Sequence, residues 1–459
     1  MAAKVQYFFK LAKYKIVTAF CIIIFTNFAA RYKNSKNKVM NIEIINIGDE
    51  LLIGQVINTN CSYIAKMLNN VGINVKYISV INDNSEEIKK SVNLALNRAD
   101  GVIITGGLGP TKDDMTKYCL NEMFGGKLVE NKQVNQHVKK FFEARNLPYT
   151  NTNHSQAMVS DCCQIIFNPV GTAPGMVFNS NNKLVISMPG VPFEMERMMN
   201  SVVPILLEHY KPETIIHKSV LLSGISESFL SDRLCGVENH LKQINASQNE
   251  MQYSLAYLPS AGTIKLRLSL RGGERQKAQE EFDLLYCQLK KEIKELIISE
   301  DDKNIAQIIG EILKSRKQTL SVAESCTGGN ISHTITLNSG ASSYFKGGVV
   351  SYCNEIKTNV LQVKQQTLDC FTAVSEQTAK EMAEGVLKLY DTDFAISTTG
   401  LAGPDSDGTN AEIGMVYIGI AAKNRDTIVK KTCFKTSRTN FIDRVTNLAL
   451  FSLLEILRK

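Results

Sequence analysis

The sequence predicts an α/β protein built from more than one layered domain. Strand-like and helix-like stretches alternate over 42–125 and again from 319 onward, and a polar, charged break, Ser299-Glu300-Asp301-Asp302-Lys303-Asn304, lies between them. At roughly 100–200 residues per domain, 459 residues make about two to four compact units.

An apolar strand IEIINIG (42–48) opens the first alternation. A helix-like stretch after Asn58, a strand NVKYISVI (74–81), a helix SEEIKKSVNLALNRA (85–99) and a strand VIIT (102–105) follow. This spacing predicts right-handed crossovers in a parallel sheet, whose ligands sit outside the carboxyl ends of the strands. Two such ends carry unusual loops, Gly48-Asp49-Glu50-Leu51-Leu52-Ile53-Gly54 and Thr105-Gly106-Gly107-Leu108-Gly109-Pro110-Thr111-Lys112-Asp113-Asp114. Gly106, Gly107 and Gly109 let the backbone approach a ligand and expose its N–H groups. Thr111 is expected to N-cap the next helix, whose start favours a phosphate. Asp113 and Asp114 are expected in its first turn, where they suit the helix dipole or, beside a phosphate, call for a cation. The loop is neither a Walker A nor a Rossmann motif. Two later segments, Gly171-Thr172-Ala173-Pro174-Gly175 and Met188-Pro189-Gly190-Val191-Pro192, strengthen the reading of a phosphate site.

Residues 211–300 offer a strand HKSVLLSG (217–224), helix-like SESFLSDRLCG (226–236), an alternating run IKLRLSL (264–270) with Lys265 and Arg267 on one face, and a charged helix over 274–297. A small α+β unit is expected. Beyond the break come an amphipathic helix (304–317) and a buried strand TLSVA (319–323) that runs into Glu324-Ser325-Cys326-Thr327-Gly328-Gly329 and a helix (330–338). The Gly-Gly turn offers N–H donors, and Ser325 and Thr327 offer hydroxyls, to a phosphate. A strand VVSY (349–352), a helix (375–390), a strand AISTTG (395–400), strands 414–422 and 428–435 and a closing helix from about 440 complete a second α/β layer domain.

The charge is local. Residues 1–39 hold eight basic and no acidic side chains, leaving 44 basic against 45 acidic in 40–459. The body therefore carries no electrostatic footprint of direct nucleic-acid binding. The apolar run Ile16–Ala30 is 15 residues long, short of the roughly 20 a membrane span needs. A disordered leader or an upstream start, with Met40 directly before the first strand, is the expectation; a membrane tether and a secretion signal with a poor cleavage site are the alternatives. Eleven scattered cysteines without C-x-x-C or a partnered His argue against a disulfide framework and a zinc site, and for a reducing cytoplasm.

The motifs GDELLIGQVINTN, TGGLGPTKDD, GTAPG and MPGVPFEM resemble the N-terminal domain of the competence/damage-inducible CinA family, which is similar to molybdopterin-binding (MoCF-like) domains. ESCTGG, GASSYFKGG, VVSYCNEIK, AVSEQTAKEMAEG and TTGLAGP resemble the family's C-terminal domain, which is similar to nicotinamide mononucleotide (NMN) deamidases. The resemblance implies a leader (1–39), a three-layer MoCF-like domain (40–210), a KH-like connector (211–300) suggested by AYLPSAGTIKLRL, and a three-layer deamidase-like domain (301–459). No GXXG clamp is present, so a spacer or dimerisation role for the connector is favoured over RNA binding.

For the first domain the resemblance implies binding of a nucleotide or pterin phosphate and, in some members, ADP-ribose hydrolysis with a divalent metal (Mg, Mn or Co). By position, Gly106, Gly107, Gly109 and Thr111 would form the phosphate site, Asp49, Glu50, Asp113 and Asp114 the metal site, and Asn58 and Asn60 polar contacts. Asn58 stands where members often have Asp. For the last domain it implies metal-free hydrolysis of the NMN carboxamide, joining both substrates to pyridine-nucleotide salvage. Such chemistry needs a nucleophile, a proton carrier and an oxyanion site. His333, on an amphipathic helix, makes a poor triad member, so a Ser-Lys variant is the natural choice.

By motif position Ser342, with Ser343 its rival, would be the nucleophile, Lys357 the base and Tyr352 a proton relay or transition-state donor. Glu324, Ser325, Thr327, Gly328, Gly329, Thr399, Gly400 and Gly403 would bind substrate. The base needs a lysine pKa depressed from about 10.4. Cys326 lacks a partner His and is expected to be a buried packing residue. A homo-oligomer, a dimer, with no direct nucleic-acid partner is expected. A molybdopterin-handling protein and a non-enzymatic partner in DNA uptake or damage response are the competing readings.

Overall fold

The structure, a computed structural model, describes residues 40–458 except 112, 224, 248–249, 261, 301–302, 407 and 409–410. The basic leader lies outside the described residues. The chain divides into two compact units, one ending at Ile215 and one starting at Ile216. Among the described residues no helix is long and apolar enough to cross a membrane, and the ten described cysteines are unpaired.

The first unit contains strands β1 (Asn41–Ile47), β2 (Asn74–Ile81), β3 (Gly101–Thr105), β4 (Leu128–Glu130), β5 (Met158–Ser160), β6 (Gln164–Ile166), β7 (Gly175–Ser180) and β8 (Lys183–Met188). Its main helices are α1 (Thr59–Asn70), α2 (Ser85–Arg98), α3 (Thr116–Met123), α4 (Lys132–Glu143) and α5 (Pro192–His209). The sheet runs β2-β1-β3-β8-β7-β6; its first four strands are parallel, and β7 pairs antiparallel with both β8 and β6. Strand alternation splits the core in two. Ile42, Ile44 and Ile103 pack with α1 and α5 on one face, and Ile45, Ile47, Val102 and Ile104 pack with α2 and α3 on the other. Buried Glu43, on β1, is held by both nitrogens of an Arg98 fork at 2.6 and 2.8 Å and by Ser79 Oγ.

The loop after β3 departs from expectation. Helix α3 starts at Thr116, with Met115 before it and no side-chain cap, so Thr111 caps nothing and Asp113 and Asp114 precede the first turn. Instead the Asp114 carboxylate accepts from Gly109 N (2.8 Å), Thr111 N (3.0 Å) and Thr111 Oγ1. The loop closes on its own aspartate.

In the second unit β9 (Ile215–Ser223), α6 (Glu227–Ser247), β10 (Met251–Ser260), β11 (Thr263–Gly272), α7 (Arg275–Glu292) and β12 (Ile297–Ser299) build a sheet ordered β10-β11-β9-β12. The helix expected to run to 297 stops at Glu292, because Ile297 and Ser299 pair antiparallel with β9. There follow α8 (Ile305–Arg316), β13 (Leu320–Glu324), α9 (Asn330–Thr336), β14 (Phe345–Val350), α10 (Asn354–Asn359), α11 (Gln365–Phe371), α12 (Glu376–Tyr390), β15 (Phe394–Gly400), β16 (Met415–Ala422), β17 (Arg425–Cys433) and α13 (Arg438–Leu457). The sheet order is β14-β13-β15-β16-β17, with the first three strands parallel. Val322, Ile396 and Ile420 face α8 and α13, whereas Ala323, Ala395 and Ala421 face α12. Strand β14 starts at Phe345 and ends before Ser351, four residues ahead of the expected VVSY start. Its two glycines fit because Gly347 lies under Tyr390 and Gly348 under Val322 and Ser332.

Glu324, the last residue of β13, is fully buried. Its carboxylate accepts from the N–H groups of Gly329 (3.0 Å), Ile331 (3.0 Å) and Ser332 (2.9 Å) and from Ser332 Oγ (2.7 Å). One side chain thus meets the unpaired donors at the start of α9. Replacing Glu324 with Ala should strand those buried donors and lower the unfolding free energy by about 3 kcal/mol or more, read as a fall in the urea midpoint.

Candidate functional site

In the second unit the carboxyl ends of β13, β14 and β15 lie side by side, and each leads into a loop with a polar residue. Ser325 follows β13, and its N–H is tied to Thr398 O on β15 (3.0 Å). Ser351 follows β14, and its N–H is tied to Glu324 O (2.7 Å). Lys357, on α10, is 1% exposed and reaches back between them. Its Nζ lies 2.7 Å from Ser351 O, 3.3 Å from Ser325 Oγ and 3.4 Å from Tyr352 O. No carboxylate forms an ion pair with it among the described residues. Burial pushes the lysine pKa below its ordinary value, because desolvation penalises the ammonium.

This geometry corrects the expected pairing of Ser342 with Lys357. Ser342 is exposed, in the short turn before β14, while the lysine site lies at the other end of that strand. Six strand residues span about 20 Å. Ser325, expected only to bind substrate, is the serine beside the lysine. Tyr352 contributes its backbone carbonyl to Lys357; its phenol is exposed and accepts from Arg438 Nη2 at 2.8 Å, while Arg438 Nη1 donates to Gly403 O at 2.8 Å. Glu324 is also corrected: all four hydrogen bonds to its carboxylate come from the turn and start of α9, so it shapes the turn rather than meeting substrate, and the Gly329 donor expected to meet phosphate is already taken. Thr327 Oγ1 pairs with Thr398 Oγ1 (2.8 Å), and Thr399 Oγ1 donates to Ala373 O (2.5 Å). Gly328 is exposed on the turn, and Gly400 packs against Val416. Burial raises the Cys326 thiol to about 12, which leaves it protonated and a poor nucleophile.

The first unit holds a cavity of about 550 Å³ at the carboxyl ends of its parallel strands. The motif loops converge there: Gly48 and Glu50, Asn58 to Asn60, Gly106 to Gly109, Asp113 and Asp114, Thr172 and Ala173, and Pro189 to Pro192 all line it. Gly106, at φ +108°, sits with its Cα where a Cβ would strike Ile47 O, so glycine is required. The expected phosphate cradle needs correction. The N–H groups of Gly109 and Thr111 go to Asp114, and that of Gly106 goes to Met188 O (3.1 Å). Positive potential comes instead from the starts of α1 and α5, whose first residues Thr59 and Pro192 line the cavity. Asn58 caps α1 by accepting from Cys61 N (3.1 Å).

Asp83, after β2, escaped the sequence reading. It lines the cavity, and its pKa is raised to about 6 by burial and then by Asp49, Glu50, Asp114 and Asp113. Among the described residues no three acidic, His or Cys side chains gather closely enough to hold a metal by themselves. The rim suits a divalent ion that arrives with a phosphate ligand, since such ions use one or two carboxylates plus phosphate oxygens. Arg438 was also missed; its signal was a cation in the first turn of a helix, where the dipole favours an anion.

Residues 302–457 match the CinA C-terminal domain, and residues 43–209 match the probable molybdopterin binding domain. A CinA-like protein of Flavobacterium psychrophilum is 44% identical over 414 residues, 90% of this chain and 97% of that one. A CinA-like protein of Chloroherpeton thalassium is 39% identical, covering 89% and 96%. Among solved structures, the protein CinA from Thermoplasma acidophilum is 34% identical over 37% of this chain and 98% of its own, with a TM-score of 0.34. With relatives aligned over nine-tenths of its length and the two domains in this order, the chain belongs to the CinA family.

Proposed function

We propose that the second unit hydrolyses the carboxamide of NMN, with Ser325 as nucleophile and Lys357 as base. The observation that carries this is a buried lysine, free of carboxylate partners among the described residues, 3.3 Å from a serine hydroxyl. Neutral Lys357 takes the Ser325 Oγ proton as Oγ attacks the carboxamide carbon. The tetrahedral oxyanion meets the backbone N–H groups of Cys326 and Thr327, since those of Gly328 and Gly329 go to Ser325 O and Glu324. Lys357 then returns the proton to nitrogen, ammonia leaves, and water cleaves the Ser325 ester to give nicotinate mononucleotide. Arg438 supplies a cation at the mouth for the substrate phosphate and holds Tyr352 over it. Supporting this reading is the depressed lysine pKa, which raises the neutral fraction the base requires.

The first unit, on this proposal, binds a nucleotide phosphate in the acidic-rimmed cavity and hydrolyses ADP-ribose. One or two of the rim carboxylates, Glu50 and Asp113 among those lining the cavity, would share a divalent cation with the ligand, which would offset charge on its phosphates; Asp49, expected in the metal site, is not among the lining residues. A cytoplasmic, homodimeric protein without direct nucleic-acid contact completes the proposal. Incubating protein with NMN, and separately with ADP-ribose plus Mg²⁺, Mn²⁺ or Co²⁺, tests both activities; absence of ammonia and of cleaved ADP-ribose would favour a non-enzymatic role.

Three outcomes are expected. Ser325→Ala and Lys357→Ala should each lower ammonia release from NMN by at least about a hundredfold, whereas Ser342→Ala should stay within about twofold, as for an exposed residue. The kcat/KM for NMN should rise with pH through an ionisation below 10.5 that Lys357 contributes. For stability the sign is the same: between the depressed folded value and 10.5 the unfolded chain binds the extra proton, so stability rises with pH there. Lys357→Met should flatten that rise in urea titrations.

A further inference from the structure

The cavity of the first unit contains polar atoms that its own chain does not satisfy. Gln156, 1% exposed, lines the wall, and neither its Nε2 nor its Oε1 has a partner among the described residues. Across the same cavity Asn60 donates from Nδ2 to Gly190 O at 2.7 Å, but its Oδ1 is likewise buried and unpaired. Most buried polar groups in proteins are paired, and leaving one unpaired is costly. Gln156 is a cavity-lining residue, and a buried amide there with neither end paired is a group whose partner arrives with a ligand.

Its placement is fixed. Gln156 lies in the short turn Ser155–Ala157, whose Ser155 carbonyl accepts from Lys117 Nζ at 2.7 Å. The neighbouring Thr116 donates from Oγ1 to Gly106 O at 3.0 Å. Adjacent residues of α3 thus tie the glycine loop and the Gln156 turn to one another. A glutamine amide presents a donor and an acceptor side by side, the complement of a planar nitrogen heterocycle with an acceptor next to an N–H, as Gln or Asn meets adenine N7 and N6.

Resting on the reading of this cavity as a nucleotide-phosphate site, we propose that Gln156, with Asn60 Oδ1, is the specificity-determining contact for the ligand's base. The base is a purine or pterin edge, read two-pronged by the amide, while the helix starts of α1 and α5 meet the phosphate end.

Titration calorimetry on the full chain with adenosine 5′-phosphate, neopterin and ribose 5-phosphate tests this. Adenosine 5′-phosphate should bind at least about tenfold more tightly than ribose 5-phosphate, which lacks a base; if the edge is a pterin's, neopterin, which carries the edge without a phosphate, should bind wild type and not Gln156→Leu. Gln156→Leu should erase that preference, leave ribose 5-phosphate binding unchanged, and keep or raise the unliganded melting temperature, because an unpaired amide is exchanged for an apolar group of similar size. Gln156→Glu, which keeps the shape and removes the amide donors, should erase it too. The inference is overturned if the Leu and Glu variants keep the base preference, or if the Leu variant melts lower and loses all three ligands alike, as a merely structural glutamine would. If ribose 5-phosphate binds wild type as well as the base-bearing ligands do, the base contact fails and the phosphate site stands. If nothing binds, the nucleotide-phosphate reading fails with it.

Discussion

The second unit turns on one carboxylate. Glu324 ends a central strand and accepts from three backbone N–H groups of the turn and helix that follow. That fixes the path of the chain through Ser325, and the same residue's carbonyl receives Ser351 N–H from the adjacent strand. Ser325 and Ser351 are thereby set on neighbouring strand ends, and Lys357 fills the gap with bonds to both. A buried ammonium would be prohibitive on its own. Two carbonyls and a hydroxyl make it tolerable, and the remaining desolvation is what lowers its pKa.

The two units use the same topological position for opposite electrostatics. Each places its candidate site outside the carboxyl ends of parallel strands, where loops can be exchanged without disturbing the sheet. In the second unit a buried cation stands beside a hydroxyl. In the first, burial and then the carboxylates crowding one rim raise the Asp83 pKa to about 6, while helix starts supply the positive potential. A nearly neutral body is consistent with both, because each field is made locally.

Much of the fold was legible because periodicity is local. The strands at 41–47, 74–81 and 101–105 and the helix at 85–98 read directly from alternation and apolar spacing. What misread were places where distant pairing overrides local signal. Ile297 to Ser299 continue a helical pattern yet pair with β9, and Gly347-Gly348 look like a turn yet lie inside β14 because Tyr390 and Ser332 need the space. Thr111 has the chemistry of a helix cap, but Asp114 reaches it before a helix can begin.

The sequence by itself determined which loops matter: ESCTGG, TGGLGPTKDD, MPGVP and the lysine of VVSYCNEIK each combine small residues with polar ones at strand ends, and such combinations are visible without coordinates. Only the tertiary structure decided which members meet. Ser342, which motif position favours as nucleophile, and Ser325, expected only to bind substrate, are separated from Lys357 by 15 and 32 positions, and the more distant one is the one that meets it. A parallel strand carries the chain from one edge of the sheet to the other, so residues close in sequence across β14 lie at opposite ends, while residues on adjacent strands meet. Asp83 and Gln156 were invisible for the same reason: the groups around each are brought in from elsewhere in the chain.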